Sequence, residues 1–157
     1  MLRRKGKFSD LLLEIAGWDI DVRADGQGLP PGHGSVREGE KIFAEICAPC
    51  HRAKGEGTPA DRLVGGSGTL ATSTLCEPSR SYWPCASTLF DYIRRAMPFN
   101  SPQSLTADQV YAVSAYILYL NKIVPEDAVP DAIPLPRVEM PNRNGLISPD
   151  PRPDVPR

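Results

Sequence analysis

Three neighbouring side chains hold most of the chemistry that this sequence offers: Cys47, Cys50 and His51, in the run EICAPCHRAKGEG. Two thiols separated by two residues, with a histidine directly after, can ligate zinc, cycle as a redox dithiol, or fasten a haem covalently. The spacing suits the last use for a mechanical reason. Such thiols reach the two vinyl groups on neighbouring edges of one porphyrin, and the adjacent imidazole then lies under the iron as its proximal ligand. Zinc would need two more ligands, and the remaining cysteines, Cys76 and Cys85, are too far apart in sequence to form a knuckle. A redox dithiol expects a strand-helix-strand setting. Here the motif ends an amphipathic helical pattern, so Cys47, Cys50 and His51 read as the attachment site of one haem c.

An iron that carries electrons takes a second axial ligand, usually methionine or histidine. Besides the initiator, the chain has Met97 and Met140, and one spare histidine, His33. Met97 lies between the last two helical patterns and precedes Pro98, whose missing N–H and fixed φ suit a sharp departure from the helix. We read His51 and Met97 as the metal ligands. Met140, in a Pro-rich tail, and His33, in the lead-in, read as surface residues. A thioether favours reduced iron relative to a second imidazole, so this pair implies a comparatively high potential.

The elements that must position these residues are helical. Ser35 followed by Glu38 is a capping-box arrangement, and Val36, Gly39, Ile42, Phe43 and Ile46 then follow helical spacing into Cys47. A second helix covers STLFDYIRRA, Ser87 to Ala96. A third starts at Thr106 with Gln109 at its capping-box position, and Val110, Val113, Tyr116, Ile117 and Leu120 share its apolar face. LVGGSGTLATS between the first two is a Gly-rich loop, and no segment alternates as strands do. A further short helix, SDLLLEIAG, begins at Ser9.

The chain therefore divides into an N-terminal extension (1–34), an all-α domain (35–124) and a tail (125–157). Nine of the 33 tail residues are proline, so the tail continues no helix and builds no core of its own. It is expected to be extended by itself, or ordered as an arm on a partner. The 157 residues suit one domain. A net charge of -1 gives no reason to expect nucleic acid. No apolar run approaches the roughly 20 residues of a membrane span, so no membrane insertion is expected. The basic start carries no recognisable signal peptide, because Glu14 breaks its apolar stretch.

Helix, C-x-x-C-H, Gly-rich loop, short helix, Met-Pro and final amphipathic helix together resemble class I cytochrome c. The resemblance implies that the first and last helices cross near the haem, with Gly39 and Phe43 meeting Tyr116. GLPPG, RLVGGSGTL and above all SYWPCASTLFDYIRRAMPFNSPQSLTADQVYAVSAYILYLN resemble the cytochrome subunit of bacterial sulfane dehydrogenase and of related molybdenum sulfite dehydrogenases. The likeness runs from Trp18 to the tail's PNRNG. It implies that electrons come from a molybdopterin-containing dehydrogenase subunit oxidising a sulfur compound, and that they leave to a downstream cytochrome or oxidase. Two-haem members exist, but this chain has one C-x-x-C-H. A freely diffusing carrier to a terminal oxidase and a haem-based sensor are the other readings.

On that resemblance Tyr82, Trp83 and Arg95 are candidate haem contacts, the aromatics against the porphyrin and the arginine toward a propionate. No base, nucleophile or substrate pocket is recognisable, so the chain is not expected to be catalytic alone. Haem c attachment implies a bacterial periplasm, an oxidising compartment where spare cysteines pair. A Cys76–Cys85 disulfide would then contribute about 2–3 kcal/mol.

Overall fold

Ser35 and Thr106 start the two helices on which the rest of the molecule is built. In the computed structural model, which describes residues 14–15, 17–65 and 83–144, Ser35 Oγ accepts the Glu38 N–H at 3.2 Å, and the Glu38 carboxylate accepts the Ser35 N–H at 2.8 Å. Thr106 and Gln109 form the same reciprocal box, at 3.3 and 2.8 Å. Helix α1 runs through Val36–Ile42, a π-helical turn at Phe43–Cys47, and Ala48–His51. Helix α2 spans Ala86–Ala96 and α3 spans Ala107–Leu120. A 3-10 turn, Leu135–Arg137, lies in the tail. Among the described residues the only sheet-like pairing is an isolated bridge between His33 and Asp131, so the all-α expectation holds. No helix among them is long and apolar enough to cross a membrane. The SDLLLEIAG helix lies mostly outside the described residues.

α1 packs on α3 through glycine. A Cβ on Gly39 would lie 1.9 Å from the Ala112 carbonyl oxygen, so the two backbones touch there and only hydrogen fits. Gly34, just before the cap, approaches the Ala112 nitrogen in the same way. Beside this contact the Phe43 and Tyr116 rings tilt together with centroids 5.3 Å apart, a pairing that adds about 0.5–1.5 kcal/mol beyond burial. Gly39, Phe43 and Tyr116 thus meet where the first and last helices cross.

The third helix differs from its expected single apolar face. Every residue from Val110 to Leu118 is buried, whichever way it points. A helix apolar all round must be covered all round, and three other segments supply the cover that α1 cannot. Phe90 of α2 lies against Tyr111 with ring centroids 4.5 Å apart. The Tyr111 hydroxyl donates to the Pro30 carbonyl of the lead-in at 2.9 Å. From the tail, Leu135 and Met140 join the same core.

The tail is the main departure from the sequence reading. Residues 125–144 need no partner to be ordered, because they dock on their own domain. Leu135 is fully buried and Met140, expected at the surface, is only 4 % exposed. Prolines stop this segment from forming a helix, yet they also restrict the unfolded chain, so an irregular docked path loses less entropy. Two buried apolar anchors of this kind contribute about 1.5–3 kcal/mol each. His33 is exposed, as expected.

Lead-in and tail also hold each other. The Gly34 and Val36 N–H groups donate to the Pro130 and Ala128 carbonyls at 3.2 and 3.3 Å. Gly26, at φ +91°, sits so close to Pro136 that a Cβ would overlap the ring. The pair forms a clasp over α2 and α3.

Candidate functional site

His51 is the last residue of α1, and Arg52 turns the chain out of the helix with φ +65°. The loop that follows, residues 52–65, folds back on the helix end. The Gly57 N–H donates to the His51 carbonyl at 3.0 Å and the Ala60 N–H to the Cys50 carbonyl at 3.1 Å, so both helix-terminal acceptors are satisfied. This return brings the Asp61 carbonyl to 2.8 Å from His51 Nδ1. A carbonyl can only accept, so Nδ1 carries the ring proton and the Nε2 lone pair is left for a metal. An imidazole oriented through its second nitrogen is what an iron ligand requires.

Cys47 and Cys50 are free thiols on the helix that ends in His51. Cys50 is exposed and Cys47 half-buried. Burial pushes the Cys47 thiol up to about 11, and the neighbouring Cys50 adds to the shift. Cys47 is therefore a neutral thiol at ordinary pH, unlike the thiolate of a reactive dithiol. The π-helical turn ends on Cys47, the first residue of the motif, and is closed by the Ala48 N–H on the Phe43 carbonyl. Among the described residues no three His, Cys, Asp or Glu side chains gather as a metal cluster would need.

Met97 caps the C-terminus of α2. Its N–H still donates to the Ile93 carbonyl at 3.1 Å, but its own φ and ψ are extended and Pro98 follows. The side chain is half-buried against the core. Trp83 is also half-buried at the core margin, with its ring 5.6 Å from that of Tyr92. Tyr82 lies outside the described residues.

Arg95 has two carboxylate partners within the protein. One arm of its guanidinium pairs with Asp21 at 2.7 Å and the other with the buried Asp91 carboxylate. Asp91 also accepts the Val22 N–H at 3.1 Å. Arg94 donates to the Ile20 carbonyl at 3.2 Å. Both arginines therefore tie α2 to the lead-in, because that segment passes along the same side of the helix. Cys85 is a free thiol at the N-cap of α2, and its expected partner Cys76 lies outside the described residues.

The residues fit a covalently held haem. The neutral Cys47 thiol and the exposed Cys50 stand beside a histidine whose Nδ1 is held by the Asp61 carbonyl, leaving Nε2 for a metal. Half-buried apolar side chains come to the core margin from separate segments: Cys47 and Ala48 of α1, Leu63 of the loop, Trp83 and Met97 flanking α2, and Leu105 before α3. Sequence reasoning missed the Asp61 carbonyl, since a backbone acceptor has no residue signature. It also missed Asn121, the polar residue that closes the apolar run AYILYLN. Its side chain is buried and bonded to the loop that carries Asp61.

The cytochrome c family model matches residues 36–121. No protein of curated function matches the sequence. Among solved structures, a chain of the sulfane dehydrogenase SoxCD from Paracoccus pantotrophus is 41% identical, with a TM-score of 0.85, over 96% of this chain and 72% of that one. With the α1–α3 crossing and the histidine geometry, these matches place the chain in the cytochrome c family, as an all-α class I fold with haem c attached through Cys47 and Cys50 beside His51.

Proposed function

We propose that this cytochrome accepts single electrons from a molybdopterin-containing dehydrogenase subunit that oxidises a sulfur compound in the periplasm, and passes them to a downstream cytochrome or oxidase. The observation that carries this reading is the likeness to the sulfane dehydrogenase chain. It extends over 96% of the sequence at 41% identity, and so includes lead-in and tail as well as the haem domain.

The haem supplies a one-electron iron couple when bound. The chain's own residues hold and shield it. Cys47 and Cys50 would anchor the porphyrin, His51 would offer Nε2, and Met97, at the C-terminus of α2, would offer its thioether. Trp83, half-buried at the core margin, would cover part of the ring, and the sequence reading assigns Tyr82 the same role. Arg95 ties α2 to the lead-in through Asp21 and Asp91, and its half-exposed guanidinium would be the contact to a propionate.

Native purification from the periplasm, with iron and molybdenum measured across the column, tests the partner. The two metals should elute together. Iron alone, in a monomeric protein, would replace this reading with a freely diffusing carrier. A Met97→Ala variant tests the ligand: the low-spin spectrum should be lost and the potential should fall, whereas an unchanged spectrum removes Met97 from the site.

A further inference from the structure

Asn121 ends α3 and is only 2 % exposed. Every polar atom of its side chain is used. Nδ2 donates to the Leu63 carbonyl at 3.0 Å and to the Ile117 carbonyl at 2.9 Å, and Oδ1 accepts the Gly65 N–H at 3.1 Å. Two carbonyls and one N–H around the amide leave a single orientation that satisfies all three. The Ile117 bond is local to the helix. The other two reach a loop more than fifty residues away in sequence, so they do more than cap α3.

That loop is the one carrying the Asp61 carbonyl. It is held on its other side by the Leu63 and Val64 N–H groups, which both donate to the Gly55 carbonyl, at 2.9 and 3.2 Å. Only Arg62 separates Asp61 from the residue that Asn121 grips. A continuous set of bonds thus runs from the end of α3, through residues 61–65, to His51 Nδ1. The partner of a metal-bound imidazole sets its orientation and basicity, and loss of such a partner is felt at the metal.

We propose that Asn121 is a positioning residue for the axial histidine: by clamping the 61–65 loop to α3 it fixes the Asp61 carbonyl against His51 Nδ1–H. The proposal rests on His51 as the iron ligand and not on which protein donates the electrons, so failure of the molybdenum test leaves it standing.

The test uses reduced holoprotein and reads the exchange of His51 Nδ1–H with solvent deuterium by NMR, together with the midpoint potential. Asn121→Leu keeps the side-chain size and removes all three bonds. It should speed that exchange at least tenfold and shift the potential while the spectrum stays low-spin. Leu135→Ala is the control, because it loosens the tail without touching the loop. It should lower global stability and leave exchange and potential as in the parent. If Asn121→Leu yields no holoprotein, Asn121→Asp, which keeps the acceptor for Gly65 N–H, is read by the same criteria. Unchanged exchange in the Asn121 variant, or equal acceleration in Leu135→Ala, overturns the proposal.

Discussion

The clasp and the motif loop are built on different terms. Lead-in and tail close their side of the molecule with fully buried side chains, Leu135 among them, and with a buried carboxylate, Asp91, that ties lead-in to α2. The loop at 52–65 closes mainly with backbone bonds to itself and to the end of α1, through left-handed residues such as Arg52, Gly55 and Gly57. Its apolar contributors, Leu63 above all, stay half-buried. The clasp's deepest anchors, Leu135 and Met140, are buried by protein alone even though Val129 and Ile133 stay exposed, while the loop side keeps Leu63 half-buried, in reserve for a group the polypeptide does not supply.

The strongest way to break this contrast is to strike the contact that both regions share. Gly39→Val should abolish accumulation of folded, haem-loaded protein, because the new side chain meets the Ala112 backbone, and overpacking with no room to yield costs about 3 kcal/mol or more. A normal yield and an unshifted thermal midpoint would show that α1 and α3 can separate freely. Next in size is Leu135→Ala, expected to lose about 2–5 kcal/mol in denaturant unfolding. The matching Leu63→Ala should cost the haem-free fold less, as that side chain is only half-buried. If the two losses are equal, the distinction between closed and reserved surfaces fails.

Asp91→Asn should cost about 1–3 kcal/mol, the range for disrupting a buried charged hydrogen-bond partner. It should also raise hydrogen exchange at Val22 while leaving the Soret spectrum untouched. A changed haem spectrum would mean that the clasp and the haem site are coupled. The smallest effect belongs to Tyr111→Phe, which removes the bond to the Pro30 carbonyl and should cost about 1 kcal/mol at neutral pH. Burial, with Asp131 adding, pushes the Tyr111 phenol up to about 12. The unfolded chain therefore loses this proton first, and the parent protein should lose stability as pH rises from about 10 to about 12. The Phe variant should show a shallower decline over that window. Identical slopes would place the alkaline loss elsewhere.

Much of the frame was legible because its signals are local. Two capping boxes and the apolar spacing located the helices, and the C-x-x-C-H run located the haem. The crossing of Gly39, Phe43 and Tyr116 came from family resemblance and is present in the structure. The rest depended on distance. Met140 looked like a surface residue because nothing in a Pro-rich string shows that it folds back onto the domain's core. The pairing of Arg95 with Asp21 could not be read, because that carboxylate lies on the lead-in, far away in sequence. The π-helical turn at Phe43–Cys47 leaves the apolar spacing intact, so periodicity could not separate it from α-helix.

The touch of Gly39 on Ala112 also sets an order of events. α1, with Cys47 and Cys50 at its end, precedes its packing partner by nearly half the chain, and a contact of such long sequence separation forms late. Until α3 has been made and brought back, the motif has no lasting cover. The topology thus leaves a window, early in the life of each molecule, in which Cys47 is as open to modification as Cys50, and completion of the last helix narrows it by half-burying Cys47 while Cys50 stays exposed.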